Sequence, residues 1–288
     1  MTGIWTAGGV DRHSPGGLTL RAVARRSFAG QAAIGADPAH RERLRAYLSD
    51  LVRPAGLDLR TDVLDRGHSY GEMAEALLGP VLGDDRSVDL IVLAHAIPDV
   101  TPGRATAAYL SHLCPGNRMA FAVCDQGTAA PFTGLKIISE YARTGGCPRA
   151  LLLILEQATL PYDAPPATPV PDGHTGVALL WEANGGSVPL MDGLRQRPRV
   201  APDEVAQALR EDLAVSAAPT VIVNATLAAA CGRGGLPASA RVAPPGMPTT
   251  GVWWALGAAL ARERGPVMLA DYEPVLGYLS TCVVSDRP

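Results

Sequence analysis

Short unbroken apolar runs alternate along this chain with longer segments whose apolar residues recur every three or four positions. VDLIVLAHAIPD (88–99) is one such run, closed by a Pro-Asp turn, and it predicts a buried strand. RATAAYLSHL (104–113) predicts a short helix and MAFAVC (119–124) a second strand. TAAPFTGLKIISEYARTGG (128–146) has helical spacing and a Gly-Gly stop. RALLLILEQ (149–157) and TGVALLWEA (175–183) predict two more strands, separated by the proline-rich loop 158–174. DEVAQALREDLAVS (203–216) predicts an amphipathic helix with an aspartate near its start. Strands alternating with helices predict an α/β fold.

The order strand, connection, strand, glycine-containing turn, helix, strand occurs twice. Its first copy runs through LIVLAHA, FAVCDQG, TGLKIISEYARTGGCP and RALLLILE. Its second runs through TVIVNAT (220–226), ARVAPPG (240–246), TGVWWALGAALARERGP (250–266) and VMLADYE (267–273). A duplicated unit of this kind predicts two related halves, 1–186 and 187–288, packed sheet against helices against sheet with their loops facing one central site.

Composition narrows the function. At 288 residues the chain is long enough to bury a substantial core. Its formal net charge of −3, with one lysine (Lys136), gives no clustered positive charge for nucleic acid. No apolar run has the length of a membrane span, and MTGIWTAGGVDRHSPGG shows no basic segment followed by an apolar core. The five cysteines are scattered, with no C-x-x-C pair, so a reduced, cytoplasmic protein with free thiols is expected. His95, His112, Cys114 and Cys124 lack metal-ligand spacing. GRGG (232–235) lacks the Lys-Ser/Thr partner of a phosphate loop, and TAGGVDRHSPGG fits no dinucleotide fingerprint. Neither a metal nor a cofactor is expected.

VDLIVLAHAIPD, FAVCDQGTAAPFTGLKII, RALLLILEQATLPYD, DGHTGVALLWE and APTVIVNATLAAA occur in the order of the diagnostic segments of the thiolase superfamily. Within it they resemble the ketosynthase III-like condensing enzymes. The resemblance covers roughly residues 85–183 and 215–285, and is loose over 1–84. It implies a duplicated thiolase-like fold, a five-layer αβαβα sandwich, most often dimeric. It also implies thioester chemistry at a Cys-His-Asn site. There a thiolate is stabilised at a helix N-terminus, amides hold the oxyanion, and His with Asn steadies an enolate. This sequence departs from all three positions. Aligning on Gly134-Leu135 puts Thr128 at the nucleophile position, and aligning on Phe121 puts Gly127 there. Asn224 stands where the histidine is expected, and Met247, which has no hydrogen to donate, where the asparagine is.

Each candidate residue has two readings. Cys124 is an acyl acceptor displaced by a few residues, or a buried thiol ending a core strand. Asp125 beside it raises a thiol pKa, or caps the following helix. Thr128 is an oxygen nucleophile needing a base, or a helix N-cap. His174 is a relocated base or an exposed loop residue, and His95 faces the same cavity or satisfies local hydrogen bonds. Asn224 and Met247 are expected to contact substrate if the inherited pocket persists.

Two functions follow from the resemblance. In one, the protein acts on acyl thioesters of acyl carrier protein or coenzyme A in specialised metabolite biosynthesis, as an acyltransferase or altered condensing enzyme. In the other, it is a non-catalytic partner like the chain-length factors, paired with an active ketosynthase. A homodimer or such a heterodimer is expected in either case, and ordinary Claisen condensation is not.

Overall fold

The computed structural model describes residues 2–6, 17–30, 37–64, 67–101, 105–116, 119–164, 168–184, 193–216, 218, 220–232, 234–262 and 265–284. Its elements run β1 (Thr2–Thr6), β2 (Gly17–Phe28), α1 (Pro38–Val52), α2 (Tyr70–Leu82), β3 (Leu90–Ala94), α3 (Thr106–Leu113), β4 (Met119–Val123), α4 (Ala130–Arg143), β5 (Arg149–Glu156), β6 (His174–Asn184), β7 (Arg195–Arg197), α5 (Val205–Ala214), β8 (Thr220–Val223), α6 (Ala225–Cys231), β9 (Ala240–Val242), α7 (Gly251–Leu260), β10 (Val267–Glu273) and β11 (Tyr278–Val284).

The two sheets repeat one plan. The first has the order β1-β2-β6-β5-β3-β4 and the second β7-β11-β10-β8-β9. In the first, β4, β3 and β5 are parallel and β6 turns antiparallel. In the second, β9, β8 and β10 are parallel and β11 turns antiparallel. The duplication read from the sequence is therefore present strand for strand. The boundary expected at 186/187 falls in residues 185–192, outside the described ones.

Alternation along each strand separates three cores. Leu152 and Ile154 of β5 face inward with Phe132 and Leu135 of α4, Trp253 and Leu256 of α7, and Ile222 and Leu269 of the second sheet. Leu151 and Leu153 face outward onto α2 and α3. Val221 and Met268 face outward onto α5 and α6. The result is five layers, α2/α3, sheet, α4/α7, sheet, α5/α6. Gly134 lets α4 lie close to the sheet, since a Cβ there would stand 2.9 Å from the Leu152 side chain.

The N-terminal elements were not legible. β2 carries three arginines, all within RAVARR, which masks its period-two pattern. Arg21 sits at a register shift and bonds Glu182 at 2.6 Å, while Leu18, Leu20 and Val23 are buried. α2 begins with a capping box between Ser69 and Glu72, a start signal also left unread.

The Phe132 and Trp253 rings meet at 5.0 Å, one from each half's central helix, and both are wholly buried. Trp253→Ala should cost about 3–5 kcal/mol of stability by the transfer and cavity terms of a buried aromatic. Urea denaturation measures it, and a loss below about 1 kcal/mol would contradict this packing.

Candidate functional site

The first turns of α4 and α7 leave backbone N–H groups without helical partners. Both are met by acids from the opposite half. Thr128, in the 3-10 turn Gly127–Ala129 that leads into α4, donates its amide to Glu273 Oε2 at 2.9 Å and its hydroxyl to Asp271. Ahead of α7, the Thr249 and Thr250 amides donate to Glu156 Oε2 at 2.8 and 3.2 Å, and the Thr250 hydroxyl to Glu156 Oε1. Asp271 and Glu273 lie at the end of β10, and Glu156 at the end of β5. All six residues are buried.

Thr128 and Gly127 are the two residues that the resemblance offers for the nucleophile position, and the space around both is full. Gly127 has φ +52, and a Cβ on it would come within 2.1 Å of Glu273 Oε2. Glu273 also accepts from the Val275 amide at 3.1 Å. The amide that would steady a thiolate or an oxyanion is thus already occupied by an acidic side chain. Thr128 does not act as a helix N-cap, because its hydroxyl turns across to the other half instead of back to its own helix.

Burial pushes the Asp271 carboxyl well above the ordinary range, and Glu273 adds to this; the Thr128 hydroxyl works the other way. Asp271 Oδ2 and the hydroxyl of Ser280, its direct partner across β10 and β11, are buried without a hydrogen-bond partner among the described residues. Glu156 is raised as well, by burial first, against its bonds from Thr250, Thr249 and Thr175.

Cys124 is an exposed thiol beyond the end of an edge strand, so the expectation of a buried core thiol is corrected. Its Sγ lies 3.3 Å from Asp125 Oδ2. Desolvation raises its pKa first, and the Asp125 hydrogen bond and charge raise it further. Asp125 is exposed and holds φ +60, a left-handed conformation that costs an ordinary side chain energy. It caps no helix. His95, at the end of the neighbouring β3, is held by Nδ1 to the Ile97 carbonyl at 3.1 Å and against the Tyr70 ring at 5.0 Å. Burial lowers the pKa of His95, while the Ile97 carbonyl and the charge of Asp125 oppose the shift. Asp125 thus bonds the Cys124 thiol and acts on His95 through its charge, and the three share one electrostatic neighbourhood.

His174 does not join it. It packs edge-on to His68 at 5.6 Å, and His68 in turn on Phe28 at 5.7 Å. Its neighbour Thr175 points to the inner face and bonds Glu156 at 2.8 Å, so strand alternation turns His174 to the outer one. Asn224 caps α6: its side-chain oxygen accepts from Leu227 and Tyr272 amides at 2.9 and 3.2 Å, and its amide donates to the Tyr272 carbonyl at 3.3 Å. Met247 is half-buried in the turn before α7, where its carbonyl accepts from Gly251. No group of three or more His, Cys, Asp or Glu able to hold a metal occurs among the described residues. Glu156, Asp271, Glu273 and Thr250 were missed. Their signal was an acid at the end of an otherwise apolar central strand in both repeats, RALLLILE and VMLADYE.

An acid with a raised pKa holds its proton more tightly folded than unfolded. Stability is then full below the unfolded value of about 4 and declines as pH rises from there toward the folded one. Asp271→Asn removes that share of the decline, so its urea midpoint should change less than the parent's between about pH 4 and 7; parallel profiles would refute the assignment. At Cys124, Asp125→Asn should raise the alkylation rate severalfold at fixed mild alkaline pH, because thiolate fraction follows pKa. Asparagine tolerates the left-handed backbone. Iodoacetamide kinetics check it, and an unchanged or slower rate would refute the role given to Asp125.

No protein-family model matches the chain. No curated protein matches it in sequence. Solved structures do. The tetronic acid condensing enzyme AbyA1 superposes with TM-score 0.61 at 17% identity, covering 93% of this chain and 99% of that one. The 3-oxoacyl-(acyl carrier protein) synthase III of Pseudomonas aeruginosa gives 0.62 at 15%, covering 94% and 99%. The priming β-ketosynthase of the R1128 polyketide pathway gives 0.60 at 16%, covering 98% and 100%. With its duplicated sheets and paired central helices, the chain has the thiolase-like fold of the ketosynthase III condensing enzymes.

Proposed function

We propose that the protein serves acyl-thioester chemistry in specialised metabolite assembly as a ketosynthase-like subunit whose inherited centre is shut, working beside an active ketosynthase. One observation carries this reading. Glu273 closes the N-terminal turn of α4 at Thr128, where the fold's condensing enzymes are expected to keep their nucleophile. A hydroxyl there needs a nearby free base. The Thr128 hydroxyl faces an acid whose pKa is pushed up by burial. The names of the similar structures supply the chemistry, since each is a condensing enzyme and one works with acyl carrier protein. Pairing has a place on the surface. β4 is the edge of its sheet, with Met119 and Ala122 exposed and the exposed Tyr141 hydroxyl donating to Met119 Sδ at 3.1 Å. An unpaired edge is a template for a second chain.

A second reading is favoured by the Cys124 group. There the exposed thiol attacks a thioester carbonyl, the carrier thiol leaves with a proton, and the acyl group rests on Cys124 before transfer. His95 is the nearby proton acceptor and Asp125 its neighbour.

Intact-mass measurement after incubation with acyl-coenzyme A and acylated carrier protein separates the two. Under the first reading no acyl adduct forms, Cys124→Ala leaves pathway output unchanged, and the protein co-purifies with a ketosynthase. An adduct that maps to Cys124 and vanishes in Cys124→Ala would establish the second reading and overturn the first.

A further inference from the structure

Strand register lines up three polar side chains under the start of α4. Asp271 of β10 stands directly opposite Ser280 of β11, and Ser280 directly opposite Gln196 of β7. Residues in register share a face of the sheet. Here it is the inner face, because their neighbours are drawn to the outer one: Thr281, Arg195 and Arg197 all bond Asp212 of α5. The row meets the first half at both ends. Thr128 donates its hydroxyl to Asp271, while Gln196 Nε2 donates to Thr133 Oγ1 at 3.1 Å and to the Ala129 carbonyl at 3.4 Å. Thr133 in turn bonds Gln126 Oε1 at 2.5 Å.

This polar seam is satisfied at its half-buried end, at Gln126, Thr133 and Gln196, and unmet at its enclosed one. Ser280 is 0% and Asp271 1% exposed. Ser280 Oγ and Asp271 Oδ2 have no hydrogen-bond partner among the described residues, and they do not bond each other. Yet opposed residues of an antiparallel pair have Cβ atoms about 4.5–5.5 Å apart. The Thr128 hydroxyl fixes the carboxyl through Oδ1, which leaves Oδ2 pointed away from that bond. Buried polar atoms are rarely left unmet, and internal water settles where two to four of them converge. Burial favours the protonated carboxyl, which has a hydrogen to donate, and a hydroxyl both donates and accepts.

We infer that Asp271 Oδ2 and Ser280 Oγ hold one internal water molecule between them. The carboxyl donates to the water, and the water exchanges a hydrogen bond with the Ser280 hydroxyl. The acid that receives the Thr128 hydroxyl is therefore a hydrated one, satisfied on both oxygens. The site stands apart from Cys124, and the inference is independent of either functional reading.

A high-resolution crystal structure of the whole protein tests it. Density for a water within about 3 Å of both oxygens is expected. A direct Ser280–Asp271 bond, a backbone acceptor for Ser280, or side chains packed together with no water between them would overturn it. Oxygen-17 relaxation dispersion, which counts long-lived internal waters, tests it in solution. Ser280→Val places a methyl where the water's partner was and should lose one such water. An unchanged count in a folded Ser280→Val protein would overturn the inference, and if that variant does not fold, the crystal structure of the parent decides alone.

Discussion

Two buried helix starts that must be satisfied by acids from across the molecule govern this structure. Leaving either acid without its donors would cost several kcal/mol, by the usual penalty for burying a polar group unmet. Each half therefore supplies what the other lacks: Glu156 reaches the turn before α7, and Asp271 with Glu273 reach the turn before α4. The Phe132–Trp253 contact lies between the same two helices. Apolar burial supplies the bulk of the stability, and the acids set the register in which it is achieved.

The same contacts decide the chemistry. A helix N-terminus is a ready place for a developing negative charge. Here the charge-bearing group is a permanent part of the chain, and Gly127 exists in the one conformation and with the one absent side chain that permit it. The Thr128 amide is taken by Glu273 and is not open to any other acceptor. The thiol that remains, Cys124, has been left outside, where its neighbour Asp125 makes it less acidic rather than more.

Most of the architecture was legible in the chain because buried parallel strands read as unbroken apolar runs. The repeat stood out because LIVLAHA and TVIVNAT each precede a second strand, a glycine turn, a helix and a third strand in the same order. The arginine-laden β2 was not legible, since its polar residues find partners, Glu182 for Arg21 and the Trp254 carbonyl for Arg25, that no local pattern reveals. The site was harder still. The contacts of Thr128 and Asn224 are decided by residues 145 and 48 positions away in sequence. His174 shows the same limit from the other side, as one step of strand alternation separates it from Thr175 and turns it away.

The crossed acids also bear on how the polypeptide is made. Glu273 leaves the ribosome 145 residues after Thr128, whose amide in the turn before α4 needs it. Domains fold as units during synthesis when they hold their own contacts. The turn before α4 draws its partners from β10, so it must wait, incompletely ordered, until that strand of the second repeat has been made.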